Sequence, residues 1–175
     1  MGDVFLEHIV KKVSTMRETM IRLGIVAAAL VVIYIMLTLS ASFPILSAVM
    51  PAAFVALCFG AYKLFTAQNY EFEYIVTNGE LDIDKIIARR ARKRILNVKP
   101  NDFELLAPYN DNHKAEYNRG EFAKTIDATS SKYAKNIWFG VATTKKDGRI
   151  RFLFEPTEKM IENMRQHMPR KVQLD

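Results

Sequence analysis

The sequence has few of the residues from which chemical sites are built. Its single cysteine, Cys58, excludes a disulfide framework and a thiolate metal site. Its three histidines, His8, His113 and His167, do not have the spacing of metal ligands, so we expect no metal centre. A glycine-rich phosphate loop and a nucleophile motif are also missing from the sequence. We therefore predict that the protein is not an enzyme, with no catalytic residue and no cofactor.

Charged residues are absent from one long stretch, Leu23 to Tyr62. This stretch has 40 residues, whereas about 20 apolar residues cross the hydrocarbon core of a bilayer. Two prolines, Pro44 and Pro51, lie near its middle. We predict a transmembrane α-helical hairpin with spans of about 24–40 and 45–65. If the second helix begins at Pro51 instead, the turn between the spans is longer and wholly uncharged.

The hairpin has two alternatives, a cleaved signal peptide and a buried helix pair of a soluble protein. A signal peptide has a short basic leader, whereas this leader is long and contains Glu7 and Glu18. A buried helix pair is typically amphipathic, whereas these segments are apolar all round. The residues from Thr15 to Glu18 also fit a capping box, which predicts a helix that begins at Met16.

Basic residues flank the predicted spans and indicate their orientation. Lys11, Lys12, Arg17 and Arg22 precede the first span, Lys63 ends the second, and the turn has no basic residue. The positive-inside rule then predicts a multi-pass protein of the cell membrane with both termini cytoplasmic.

The first residues, 4–13, contain Phe5, Ile9 and Val13 at helical spacing, beside two lysines. An interfacial helix on anionic headgroups and a frayed tail both remain open for this segment.

After Gln68 the hydrophobic period changes from that of a helix to that of a strand. Residues 70–76 alternate between apolar and acidic side chains, Asn78–Gly79 is a typical hairpin turn, and residues 80–84 resume the alternation. Further strands are predicted at 92–99, 102–107, 124–129, 133–144 and 149–154, with a long mobile loop or short helix over 110–121. A terminal helix follows from about Pro156, with one apolar side: Met160, Ile161, Met164, Met168.

Seven short antiparallel strands followed by one amphipathic helix predict an α+β module, a PH-like antiparallel β-barrel closed by a C-terminal helix. The chain also resembles a family of small bacterial membrane proteins, classed as a domain of unknown function, with two spans and then a PH-like module. The residues that carry this resemblance are Tyr70-Glu-Phe-Glu-Tyr, Thr77-Asn-Gly-Glu-Leu-Asp-Ile-Asp-Lys85, Arg92-Lys-Arg, Phe103-Glu and Phe154-Glu-Pro156. The resemblance implies a fold and a location and brings no activity with it. The predicted division is a cytoplasmic segment 1–22, a hairpin 23–66 and a cytoplasmic PH-like domain 67–175.

The sharpest electrostatic feature is a basic cluster, and it is the candidate lipid-binding site: Arg89, Arg90, Arg92, Lys93, Arg94. The simplest interpretation is pairing with acids on the adjacent predicted hairpin: Glu71, Glu73, Glu80, Asp82, Asp84. Contact with anionic headgroups is the second interpretation. Nucleic-acid binding is disfavoured, because no recognised motif or aromatic platform accompanies the cluster.

Two ligands that a PH-like module suggests are also disfavoured. Phosphoinositide-binding PH domains place basic residues around a long first hairpin loop, and we assign that loop to the short, uncharged Asn78–Gly79 turn. The strand aromatics could line a ligand cavity, but at this spacing they are typical of a core: Phe72, Tyr74, Trp138, Phe139, Phe152, Phe154.

The sequence therefore predicts a non-enzymatic membrane protein whose module binds a protein or peptide partner. The alternative is a membrane-surface module whose basic cluster contacts lipid. Small residues in the spans would serve either the packing of the hairpin itself or a homo-oligomer.

Overall fold

The structure, a computed structural model, describes residues 4–174, apart from the side chains of Pro44 and Leu46. It divides the chain into two compact units. One unit is Ser14–Asn69, which we call the helical hairpin. The other combines the residues up to Val13 with those from Tyr70 onward, and we call it the module. The N-terminal segment therefore belongs to the module, although 56 residues of hairpin separate it from the rest.

The helical hairpin consists of α1 (Met16–Ser42), a 3-10 turn (Pro44–Ala48) and α2 (Met50–Ala67). The start of α1 at Met16 confirms the capping-box prediction, and the Thr15 amide donates to Glu18 Oε2 at 2.9 Å. The second helix begins at Met50 with Pro51 in its first turn, so the alternative start is correct and the start at residue 45 is wrong. Both helices are long and apolar enough to span a bilayer, and neither has a buried residue.

The first sheet of the module contains four antiparallel strands in sequential order. They are β1 (Phe5–Lys11), β2 (Tyr70–Thr77), β3 (Glu80–Ile87) and β4 (Ala91–Val98). The turn between β2 and β3 is Asn78–Gly79, with φ values of 51° and 80°. Both residues therefore adopt the left-handed conformation that this dipeptide tolerates, as the sequence predicted.

The strand β1 is the largest departure from the sequence analysis. Neither a helix nor a frayed tail occupies this segment, because Phe5–Lys11 pairs with β2 in a register that joins Phe5 to Thr77 and Lys11 to Glu71. Its side chains also alternate, with Val10 buried and Ile9 exposed. The first connection between strands is consequently residues 12–69, and Asn78–Gly79 is the second.

The second sheet has the order β5-β7-β8-β6. Its strands are β5 (Phe103–Pro108), β6 (Lys124–Asp127), β7 (Trp138–Thr144) and β8 (Gly148–Phe154). The chain reverses direction between β6 and β7 and again between β7 and β8, so β6 runs parallel to β8. The prediction of a wholly antiparallel barrel is therefore wrong. The described residues form eight strands in two sheets, with no closed barrel.

Helix α4 (Glu158–His167) packs on the core that the two sheets share. Its N-terminus is capped by Thr157, whose hydroxyl accepts from the Met160 amide at 3.4 Å. The predicted apolar side is confirmed, since all four of its residues are buried: Met160, Ile161, Met164, Met168. The strand aromatics are likewise buried, as predicted. Phe139 lies in a smaller second cluster, and the others lie in this core: Phe72, Tyr74, Trp138, Phe152, Phe154. The predicted loop over 110–121 contains the four-residue helix α3 (Lys114–Tyr117).

Candidate functional site

The five residues of the basic cluster lie on the β3–β4 hairpin, in its tight turn and at the start of β4. Ala88 and Arg89 have φ values of 51° and 55°, which are costly for residues other than glycine. Arg90 completes the turn, and its amide donates to the Ile87 carbonyl at 3.0 Å. The last three members, Arg92, Lys93 and Arg94, are consecutive residues of β4. Consecutive residues of a strand point to opposite faces, so the cluster is divided between two faces of the sheet.

Arg92 and Arg94 pair with acids on the neighbouring strands. Arg92 Nη2 lies 2.7 Å from Glu73 Oε1, and Arg92 Nε lies 3.9 Å from Asp84 Oδ2. Arg94 Nε lies 3.4 Å from Asp84 Oδ1, and its Nη2 lies 3.6 Å from Asp82 Oδ2. These contacts follow the strand register, in which Asp84 stands between Glu73 and Arg94. Pairing within the sheet therefore accounts for both arginines.

The acids that pair with Arg92 and Arg94 are more buried than acids on a solvent-exposed sheet face usually are. The Glu73 side chain is only 1% exposed, and Asp84 is also buried. Burial raises the pKa of Glu73, while the neighbouring Arg92 lowers it and the Glu7 carboxyl raises it further. Within residues 4–174 the predicted partner Glu80 forms no ion pair with an arginine, and its Oε1 accepts from Asn97 Nδ2 at 2.6 Å.

The other three members of the cluster are more open to solvent. Arg89 is exposed and has one long contact, 3.5 Å from its Nε to Glu71 Oε1. Arg90 and Lys93 are exposed as well, and within residues 4–174 no ion pair involves either of them. Lys93 lies on the sheet face opposite to Arg92 and Arg94. Two cations of the five are thus available to a ligand, and headgroup contact stays a prediction.

Beside β4 lies a cleft of about 550 Å³, which we call the β4 cleft. One wall is the strand from Arg94 to Asn97, and the other is the β7–β8 turn, 144–147. Lys99, Asn101 and Asp102 close one side. Its lining includes four cations and two acids: Arg94, Lys99, Lys145, Lys146, Asp102, Asp147.

The described part of the chain contains no group of three or more His, Cys, Asp and Glu side chains with the geometry of a metal site. A separate cavity of about 290 Å³ lies between α1 and α2. This cavity is wholly apolar and is lined by Ile25, Val26, Ala29, Leu30, Ala61, Tyr62 and Phe65.

A comparison with protein-family models matches residues 2–174 to the bacterial PH-like domain (DUF6106). The chain belongs to this family. The match covers nearly the whole chain and confirms the resemblance found in the sequence. Comparisons with curated proteins and with solved structures give no match.

Along the chain, the helical hairpin lies between the first two strands of the PH-like module, and this order bears on phosphoinositide binding. The first connection between strands is the 12–69 segment, so it is long and carries α1 and α2. The Asn78–Gly79 turn is therefore not the first loop, contrary to the prediction, and its short length is no reason to exclude a phosphoinositide ligand. Of the basic residues in this first connection, Lys12 precedes α1, Arg17 and Arg22 lie in the first turns of α1, and Lys63 lies near the end of α2.

The sequence analysis missed the β4 cleft, because its two walls lie about 50 residues apart along the chain. A signal for β4 was present in the strand pattern, but nothing local indicated that the 144–147 turn faces it. The missed strand β1 carried no clear signal in its residue types. In the structure the less exposed Leu6, His8 and Val10 alternate with the exposed Glu7 and Ile9, which is the period of a strand, but His8 is polar and Ile9 is apolar.

Proposed function

We propose that the protein is a non-enzymatic membrane protein that presents its PH-like module in the cytoplasm to a protein or peptide partner. The observation that carries this proposal is the pairing of β1 with β2. These adjacent antiparallel strands lead into α1 and out of α2, with Lys11 opposite Glu71. Because both ends of the helical hairpin begin from one pair of strands, two spans would leave and re-enter the cytoplasmic side.

The lengths of the two helices support membrane insertion. At about 1.5 Å per residue, 27 residues of α1 extend about 40 Å and 18 residues of α2 extend about 27 Å. The hydrocarbon core is about 30 Å thick. No apolar side chain of either helix is fully buried, so an external apolar phase would cover their exposed surfaces.

A partner-binding role for the module is supported by its sheet edges. Strands β1 and β4 are the two edges of the first sheet, and an exposed edge offers backbone groups to an added strand.

The topology is tested by single-cysteine labelling of the full chain in cells. In a Cys58→Ala background, Ile45→Cys reports the interhelical turn and Tyr133→Cys reports the module, since these residues are 87% and 93% exposed. An impermeant maleimide should label Ile45→Cys in intact cells and Tyr133→Cys only after permeabilisation. Labelling of Tyr133→Cys in intact cells would overturn the cytoplasmic location.

The partner role is tested by affinity capture of the full chain after crosslinking in its own membranes. Recovery of a distinct protein in constant ratio to the chain supports the proposal. Recovery of the chain alone would replace it with a self-assembling structural role.

Lipid contact is the second candidate function, and it is favoured by the exposure of Arg90 and Lys93 without an ion pair in the described structure. Each basic residue near an anionic surface contributes about 1 kcal/mol. The test is vesicle co-sedimentation of the module with its hairpin replaced by a short linker. We expect Arg90→Ala/Lys93→Ala to weaken binding to anionic vesicles about 30-fold. The matched variant Lys132→Ala/Lys135→Ala, in an exposed loop, should retain it. Binding that is absent or insensitive to salt removes this candidate.

A further inference from the structure

The strand β4 is a free edge that faces a cleft. It has β3 on one side, and within residues 4–174 no backbone hydrogen bond joins it to a further strand. The two edges of the second sheet offer less room. The edge of β5 is partly covered, because the Leu106 amide donates to the Lys171 carbonyl at 2.8 Å and its own carbonyl accepts from Gln173. β6 has only four residues. β4 has eight residues and extends about 26 Å.

The charges around this edge are mainly positive and in part unpaired. Lys99, Lys145 and Lys146 line the cleft, are exposed, and form no ion pair with any residue the structure describes. Of the two acids in the lining, Asp147 already faces a cation, at 3.9 Å from Lys124 Nζ. A ligand in the cleft therefore meets three ammonium groups that have no ion-pair partner in the described structure.

We propose that the β4 cleft binds an extended acidic segment of the partner protein, which adds as a fifth strand beside β4 and directs its carboxylates to Lys99, Lys145 and Lys146. The inference rests on the proposed function and specifies its partner. Main-chain hydrogen bonds to the β4 edge supply the attachment, and the lysines select the sequence. A strand exposes alternate side chains to one face, so a segment with acids at every second position matches the cleft.

The same edge is unfavourable for a second copy of the chain. Pairing β4 with β4 would bring the three consecutive cations of each copy, Arg92, Lys93 and Arg94, into one short two-stranded ribbon, and like charges on paired strands are destabilising. Charged residues on an edge strand are a known protection against such self-association. The same charges favour an acidic occupant.

The experiment uses the full chain in nanodiscs of neutral phosphatidylcholine, so that anionic lipid does not compete. The probe is a fluorescent eight-residue peptide that alternates glutamate and threonine. One control peptide replaces glutamate with lysine, and a second is N-methylated at alternate residues, which removes the donors needed for strand pairing. We expect saturable binding of the acidic peptide, at least about tenfold weaker binding of both controls, and slower amide exchange in β4.

The matched protein variants carry equal changes of charge. Lys145→Glu/Lys146→Glu alters the cleft, and Lys132→Glu/Lys135→Glu alters an exposed loop outside it. We expect about tenfold weaker peptide binding for the first and little change for the second. Equal binding of the N-methylated peptide would overturn strand addition. Tighter binding of a single-stranded oligonucleotide at the same site would assign the cleft to nucleic acid instead.

Capture of the native partner separates this inference from the proposed function. If Lys145→Glu/Lys146→Glu captures the partner as well as the unmodified chain does, the partner uses another surface, and the cleft assignment fails while the proposed function stands. If the unmodified chain captures no distinct protein, both fail. Loss of the partner from this variant alone supports both.

Discussion

The helical hairpin and the module place their apolar side chains in opposite environments. In the hairpin, 45 residues lie in two helices, and none of them is buried. In the module, the large side chains Tyr74, Phe152 and Phe154 are completely buried in the core that the two sheets and α4 share. A module with such a core has the apolar contacts needed for folding in water, whereas the hairpin must obtain its apolar surroundings from outside the chain. The two units therefore differ in whether the chain itself covers their apolar side chains.

Removing the hairpin gives the largest expected effect on this comparison. The Lys12 amide donates to the Tyr70 carbonyl at 3.2 Å, so the ends of β1 and β2 already lie as close as those of a β-hairpin. We expect that a linker of about four residues in place of 14–69 transfers the protein from the membrane to the soluble fraction and leaves the module folded. Fractionation and circular dichroism measure the two results. The control lacks β1 as well and starts at Tyr70, and it should be less stable because β2 loses a paired neighbour. Precipitation of the linked module would contradict its independence.

The next largest effect is the difference in stability between removing a buried phenylalanine of the module and an exposed one of the hairpin. Phe152 is fully buried, and its ring lies so close to Gly140 that a Cβ there would be 2.2 Å from Phe152 Cζ. We expect Phe152→Ala to lower the free energy of unfolding of the module by about 3–5 kcal/mol. Phe54→Ala in α2 should leave it unchanged, since Phe54 is exposed. Denaturant titration in micelles measures both through the fluorescence of Trp138, the single tryptophan, which reports only the module. Equal shifts for both variants would show that the two units unfold together.

The elements that sequence analysis identified correctly are those with local signals. Thr15 and Glu18 identify the start of α1, and Asn78–Gly79 identifies the β2–β3 turn, because each signal lies within a few residues. Strand β1 was missed because its partner follows 60 residues later, and a short alternating segment cannot reveal a distant neighbour. The burial of Glu73 was missed for a related reason. Three strands bring Glu7, Arg92 and Asp84 around it, and only their register determines that arrangement.

A smaller difference in stability is expected between removing the hydroxyl of a buried tyrosine in the module and that of an exposed tyrosine in the hairpin. The Tyr74 hydroxyl donates to the Ala128 carbonyl at 2.5 Å, and burial raises the pKa of Tyr74, so the hydroxyl retains its proton at neutral pH. Tyr74→Phe leaves a buried carbonyl without this donor and should cost about 1–2 kcal/mol of module stability. Tyr34→Phe in α1 removes the same atom from an exposed side chain and should cost nothing. The same Trp138 titration compares the two, and an unchanged midpoint for Tyr74→Phe would mean that the bond contributes no net stability.

The smallest effect concerns pH, which should act mainly on the module, because no charged residue lies between Leu23 and Tyr62 in the hairpin. In the first sheet, burial raises the pKa of Glu73 above its ordinary value of 4.5, so folding favours the protonated form. Its stabilising contribution is present below that value and is lost as the pH rises through the folded-state pKa. In the second sheet, the hydrogen bond from Arg149 lowers the pKa of Glu104, with Arg149 Nη2 at 2.9 Å. Its contribution is present above 4.5 and is lost as the pH falls through the folded-state pKa.

The two variants should therefore change stability in opposite directions. Glu73→Gln should match the unmodified chain near pH 4 and become the more stable protein toward pH 7, because it stays neutral. Glu104→Gln should be the less stable protein at pH 7, by less than about 1 kcal/mol because Glu104 is 38% exposed. That difference should vanish in acid. Urea titration across this pH range measures both slopes through Trp138. If the two slopes had the same sign, the burial of Glu73 would not control its ionisation, and the ion pair with Arg92 would outweigh its desolvation.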